Sequence, residues 1–158
     1  YEMILGLVGS EMCIRDRYII NGPNLNFLGI RELEKYGETD YTTLLKLLHN
    51  KAKALDIEIE HFQSNVEGEL VNFIQSIHHS LDSWVVINPG AFTHTSIALR
   101  DALNTLSTQN KIIEVHISNI EERENYRKFN LIKEFCEISI IGEGIEGYFR
   151  ALDYINEK

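Results

Sequence analysis

The chain has 158 residues, a length that suits one domain with a substantial core, and its 44% hydrophobic and 25% charged residues are those of an ordinary globular protein. A formal charge of -9 argues against nucleic acid or an anionic membrane as the main partner, because both reward clustered Lys and Arg. An anionic small molecule stays compatible, since a few local arginines outweigh a negative surface.

In chain order, residues 1–17 come first and do not fit the rest of the chain. The run Tyr1 to Ser10 is too short for a transmembrane helix and has no basic leader region, and Glu11 to Arg17 reads as translated vector or adaptor sequence. The expectation is a non-native extension over 1–17 and a single domain over 18–158. Tyr18 to Asn21 reads as a short strand. Asp40 to Leu55 reads as a helix, with Asp40 or Thr39 as its cap and Leu44, Leu48, Ala52 and Leu55 on one face. Alternation over Ile57 to Phe62 predicts a half-exposed edge strand. Glu67 to His79 carries Leu70, Phe73, Ile74 and Ile77 at helical spacing. Trp84 to Ile87 is a continuous apolar strand of the kind buried on both faces. Thr95 to Leu106 is predicted helical, Lys111 to His116 and Glu137 to Ile141 as strands, and Glu146 to Ile155 as the last helix. Such alternation predicts an α/β protein with a five-stranded parallel sheet between two helix layers. Right-handed crossovers make it flavodoxin-like, with strand order 2-1-3-4-5.

In such a sheet ligands bind beyond the carboxyl ends of the strands. Polar side chains collect there. Asn24 and Asn26 follow the first strand, Gln63, Ser64 and Asn65 the second, and Asn88, Thr93 and His94 the third. The fourth ends Glu114-Val115-His116-Ile117-Ser118-Asn119. One such end means little, because Asn, Ser and Gly are common turn residues; four in succession point to a site. Just past the first strand, Arg31 and Tyr36 lie five residues apart. A tyrosine with an ordinary value near 10 serves as a base at neutral pH only where a cation favours its phenolate. Glu114 and His116 leave the same face of a strand, so the carboxylate can orient the ring as a general acid requires. A histidine at a strand end also serves as a plain structural residue, and His94, near a helix start, also serves as a cap. His49, His61, His78 and His79 follow no ligand spacing. Cys13 and Cys136 make neither a disulfide framework nor a metal spacing, which fits a reducing cytoplasm.

The run Gly142-Glu143-Gly144-Ile145-Glu146-Gly147 matches the dinucleotide fingerprint literally, but only eleven residues come after it. The required βαβ unit cannot be completed, so the glycines read as a tight turn and close helix packing, without NAD. No nucleophile elbow, apolar-pocket lysine or metal-ligand spacing is present.

Asn21-Gly22-Pro23-Asn24-Leu25-Asn26, Phe62-Gln63-Ser64-Asn65, Glu67-Gly68-Glu69, Ile87-Asn88-Pro89-Gly90-Ala91, Thr93-His94-Thr95-Ser96, Leu99-Arg100-Asp101-Ala102 and Glu114-Val115-His116-Ile117-Ser118-Asn119 together closely resemble the type II 3-dehydroquinate dehydratases. The resemblance runs from about Tyr18 to Tyr154. It implies a lyase that converts 3-dehydroquinate to 3-dehydroshikimate in the shikimate or quinate pathway, in the cytoplasm, without metal or cofactor, as a homododecamer built from trimers. Carried over position by position, it makes Tyr36 the base and Arg31 the cation that supports it. Asn24, through a water, would stabilise the enolate. His116 would protonate the leaving hydroxyl, with Glu114 orienting the catalytic groups. Asn88 and the backbone N–H groups of Ile117 and Ser118 would hold the substrate carboxylate. His94 and Arg127 would hold the ring hydroxyls, and Asp101 would reach in from a neighbouring subunit. Arg123 carries two readings, a support for the loop or site and a solvated helix charge.

Departures fall at Lys128-Phe129-Asn130-Leu131, where a His-Ser-containing stretch is usual, and at Glu121-Glu122, where His-Ala is customary. The rival readings are a catalytically impaired family member kept as a binding or assembly protein, and a nucleotide- or flavin-binding module.

Overall fold

The computed structural model describes residues 16–158. The expected extension over 1–17 therefore lies almost wholly outside the described residues. Five strands form one parallel sheet: β1 Arg17–Asn21, β2 Glu60–Gln63, β3 Trp84–Asn88, β4 Lys111–His116 and β5 Ile138–Ile141. Their order is β2-β1-β3-β4-β5, as the sequence predicts for a flavodoxin-like fold. β1 begins at Arg17, and the Asp16 carbonyl accepts a bond from the Trp84 N–H at 3.1 Å.

Strand alternation sends two sets of side chains to opposite faces. Ile19, Val86, Ile113 and Val115 meet Leu44, Leu48, Tyr148 and Leu152 on one side. Tyr18, Ile20, Val85, Ile87 and Ile112 meet Leu70, Ile74, Leu99 and Leu103 on the other. Both faces of the central strands are thus covered, which is why their sequence is continuously apolar.

The helices are α1 Leu33–Tyr36, α2 Tyr41–Ala54, α3 Glu67–Ser76, α4 Phe92–Thr95, α5 Ile97–Ser107 and α6 Glu146–Asn156. Asp40 caps α2 by accepting from the Thr43 N–H at 2.7 Å. The predicted helix from Thr95 is divided in the structure. Ser96 takes an extended conformation and its hydroxyl oxygen accepts from the Leu99 N–H at 2.8 Å, so it ends α4 and starts α5. β2 is shorter than the alternation suggests, because Ile57 instead closes the end of α2 by donating to Ala52 and sinking into the core. α1 and four 3₁₀ turns, Leu25–Phe27, Ile120–Glu122, Asn125–Arg127 and Lys133–Phe135, have no counterpart among the predicted elements.

Two glycines show what the topology demands. A Cβ on Gly22 would lie 2.4 Å from the Pro89 carbonyl oxygen, so the loops after β1 and β3 touch only because that side chain is absent. A Cβ on Gly147 would meet Ile140 and Val115 at 3.2 and 3.3 Å, which makes this glycine a helix-packing residue, as the sequence suggests. The turn before it donates from Gly142 N–H to His116 C=O and from Gly144 N–H to Ile117 C=O, at 2.9 and 3.0 Å. It holds the end of β4 in place.

Candidate active site

The carboxyl ends of β1, β3 and β4 surround a cavity of about 140 Å³. Nine sequence-predicted residues line it: Asn24, Arg31, Tyr36, Asn88, His94, His116, Ile117, Ser118 and Arg127. Glu114 sits behind His116, fully buried. Asp101 is not brought to this cavity. It is exposed on α5 and pairs with Arg100 at 3.3 Å.

Tyr36 ends the single-turn helix α1 and is half-buried. Its hydroxyl oxygen accepts two guanidinium hydrogen bonds, from Arg31 Nη2 and Arg123 Nη1, each 2.8 Å long. The Arg31 guanidinium carbon also lies 4.5 Å from the ring centroid. Burial pushes the phenol up, but Arg31, Arg123 and the Ser118 hydroxyl outweigh it and hold Tyr36 below its ordinary 10.0. Arg123 thus takes the first of its two sequence readings: it is a direct partner of the tyrosine, 87 residues away in the chain.

His116 ends β4. Its Nε2 lies 2.6 Å from Glu114 Oε1, with both side chains buried. Further donors surround the carboxylate: Ser139 Oγ at 2.7 Å, Thr93 Oγ1 at 3.2 Å, and Asn130 Nδ2 at 2.7 and 2.9 Å from the two oxygens. Burial alone would raise the Glu114 carboxyl; His116, Ser139 and Asn130 overcome that and keep it below the ordinary 4.5. The contribution of Glu114 to stability is therefore complete above its ordinary value and is lost as pH falls through the lower folded value. Urea midpoints measured down through the acid range are expected to fall more steeply for wild type than for Glu114→Gln below that ordinary value; parallel curves would contradict it.

His94 faces the cavity from α4 and bonds through Nδ1 to the Phe129 carbonyl at 2.7 Å, so Nδ1 carries hydrogen. Among the described residues, its buried Nε2 has no hydrogen-bond partner. Desolvation, then the nearby His116 and Arg127, lower its affinity for a proton more than the Phe129 and Glu114 oxygens raise it. A neutral imidazole in this state offers the cavity an acceptor nitrogen.

The β2 end supports the site without lining it. Gln63 Nε2 donates to the Gly22 carbonyl at 3.2 Å, and Asn65 Oδ1 accepts the Asn24 N–H at 2.8 Å, fixing Asn24 in the left-handed region at φ 66°. Asn88 is buried, with its Oδ1 accepting the Gly90 N–H at 3.1 Å. Among the described residues, no three His, Cys, Asp or Glu side chains are grouped to hold a metal ion, and no helix is long and apolar enough to cross a membrane.

The cavity thus has an arginine-clamped tyrosine on one wall and a carboxylate-held histidine on another, two side-chain types that can exchange protons with a ligand. The family model described as Dehydroquinase class II matches residues 15–156. The chain belongs to that family. It is 49% identical over 137 residues to the 3-dehydroquinate dehydratase of Lachnoclostridium phytofermentans, covering 87% of this chain and 93% of that one. The enzyme of the same name from Clostridium acetobutylicum is 48% identical over 130 residues, covering 82% and 88%. The crystal structure of a type II dehydroquinase from Butyrivibrio crossotus superposes with a TM-score of 0.86 at 44% identity, covering 91% of this class II dehydroquinase chain and 99% of that structure.

Proposed function

We propose that this chain is a hydro-lyase that dehydrates 3-dehydroquinate to 3-dehydroshikimate through an enolate, with Tyr36 as base and His116 as acid. The observation that carries this reading is the Tyr36 oxygen, held between two guanidinium groups at 2.8 Å. A phenolate stabilised by Arg31 and Arg123 takes a proton from the carbon α to the substrate ketone. Asn24, acting through a bound water, stabilises the oxygen of the resulting enolate. The electron pair then re-forms the carbonyl and expels the β-hydroxyl, which leaves as water with a proton from His116; Glu114 keeps the ring in place. Loss of that water leaves a conjugated enone.

Substrate placement matches the lining. Asn88 and the backbone N–H groups of Ile117 and Ser118 take the carboxylate, and the free Nε2 of His94 with the Arg127 guanidinium takes the ring hydroxyls. Asp101 completes the site from a neighbouring subunit of a trimer-based dodecamer, which accounts for its distance from the cavity of its own chain. This reading places the enzyme in the cytoplasm, in the shikimate or quinate pathway.

Purified protein mixed with 3-dehydroquinate is expected to develop the ultraviolet absorbance of a conjugated enone. Absence of that signal from folded protein would contradict the reading and favour a binding or assembly role. The pH dependence carries a further expectation. Tyr36 must be ionised to act, so kcat/KM rises with pH as it loses its proton. Removing one of its cations in Arg123→Ala is expected to move that rising limb to higher pH and to cost roughly tenfold or more at neutral pH. An unmoved limb would show that Arg123 does not tune the base.

A further inference from the structure

Asn130 lies in Lys128–Leu131, a connection that reads as featureless loop, yet its side chain has almost no freedom. Its Oδ1 accepts the N–H groups of Ile132 and Lys133, both at 3.0 Å, and lies 3.2 Å from the Thr93 hydroxyl, so the amide oxygen is surrounded by donors. That leaves Nδ2 pointing the other way, at 2.7 and 2.9 Å from the two oxygens of Glu114. The Leu131 N–H ties the same segment to the Thr93 carbonyl at 2.9 Å.

An amide nitrogen can only donate. The hydroxyls of Thr93 and Ser139 can donate or accept, so alone they would tolerate a protonated Glu114. With Asn130 fixed as a donor to both oxygens, Glu114 is held as an acceptor. The shared contact with His116 is then Nε2–H donating to Oε1, which fixes the ring orientation and leaves Nδ1 to carry the proton that is transferred. We infer that Asn130 is a positioning residue for the acid half of the reaction, locking Glu114 so that His116 presents its other nitrogen to the leaving hydroxyl. The inference rests on the proposed function and adds to it a residue that touches no substrate. The residue before Asn130 serves the second histidine, since the Phe129 carbonyl accepts the His94 Nδ1–H at 2.7 Å.

The charged and titratable groups facing Glu114 are His116 on its own strand, His94 from α4 and Cys136 from the segment before β5. Replacing the amide in Asn130→Asp sets an acceptor against an acceptor in a nearly unchanged shape. Asn130→Ala removes the donor outright. Both changes make it easier to protonate Glu114, so the acid limb of kcat is expected to move to higher pH. Misplacement of His116 is expected to lower kcat roughly 10- to 100-fold while KM stays within about threefold.

The deciding readout separates the two half-reactions. In deuterium oxide, proton abstraction by Tyr36 appears as exchange at the α carbon of recovered 3-dehydroquinate, whereas elimination appears as enone. Variants that keep exchange but lose elimination, with a displaced acid limb, would establish the positioning role. Variants with wild-type kcat and an unmoved limb, beside an active wild type, would overturn it and leave the proposed function intact. Loss of exchange and elimination together with a lowered Tm would also overturn it, because that is what a purely structural residue would give. A wild type with neither exchange nor elimination would overturn the proposed function, and this role with it.

Discussion

Tyr36→Phe is expected to abolish turnover of 3-dehydroquinate while substrate binding persists. The substitution removes one oxygen and keeps the ring that packs over Arg31 and against the core. General base catalysis contributes about 10²- to 10⁴-fold, so kcat is expected to fall by at least that much without the phenolate. Arg31 and Arg123 are charged donors that lose their shared acceptor, but both have a second carboxylate partner, Glu32 and Glu124 respectively, at 3.5 Å. The binding-competent loop is therefore expected to survive, and the Kd for 3-dehydroquinate, measured by calorimetry, is expected to stay within about threefold. A variant that turns over at near wild-type rate would remove Tyr36 from the mechanism. One that fails to bind would make the tyrosine a ligand first and a base second. Isotope exchange at the α carbon is expected to vanish with turnover, since both need the same proton transfer.

His116→Ala is expected to stop elimination and leave that exchange running. The enolate can form and return, but the β-hydroxyl departs as hydroxide unless a proton is supplied, and the loss is again about 10²- to 10⁴-fold. The variant is also expected to be less stable. Glu114 keeps the Asn130, Ser139 and Thr93 donors but loses the His116 hydrogen bond in a buried setting, a change expected to cost about 1–3 kcal/mol. Mass analysis of recovered substrate in deuterium oxide checks the chemistry, and a urea midpoint checks the stability. If His116→Ala lost exchange along with elimination, the two proton transfers would not be separable in the way the site geometry implies.

The legibility of this site in the sequence depends on how far apart its partners lie. Central strands such as Trp84–Asn88 announce themselves because both their faces are buried, and Asn88, His116 and Ser118 are readable because they end or directly succeed such strands. Glu114 and His116 are two residues apart on one strand, so strand geometry alone predicts their pairing. Arg123 is a different case. It stands among Glu121, Glu122 and Glu124, where a charge reads equally well as solvated, and its contact with Tyr36 depends on two 3₁₀ turns with no periodic signal. Asn130 is likewise hidden, since nothing local links a loop amide to a carboxylate on β4. The division of the helix at Ser96 does have a local cause, a serine whose side chain caps the next turn, and that signal is present in the sequence. Asp101 is readable only through the family resemblance, because within its own chain it pairs with its neighbour Arg100.

In the proposed mechanism two arginines make Tyr36 an available base, a property that can be tested without substrate. Tyrosine ionisation shifts the near-ultraviolet absorbance, and Tyr36→Phe removes one of the seven tyrosines in the chain. The difference between wild type and Tyr36→Phe across a pH titration isolates that residue. The expected result is one tyrosine ionising below its ordinary value of 10.0, present in wild type and absent from the variant. Superimposable titrations below that value would mean that Tyr36 is no better a base than a free tyrosine, and would contradict the account.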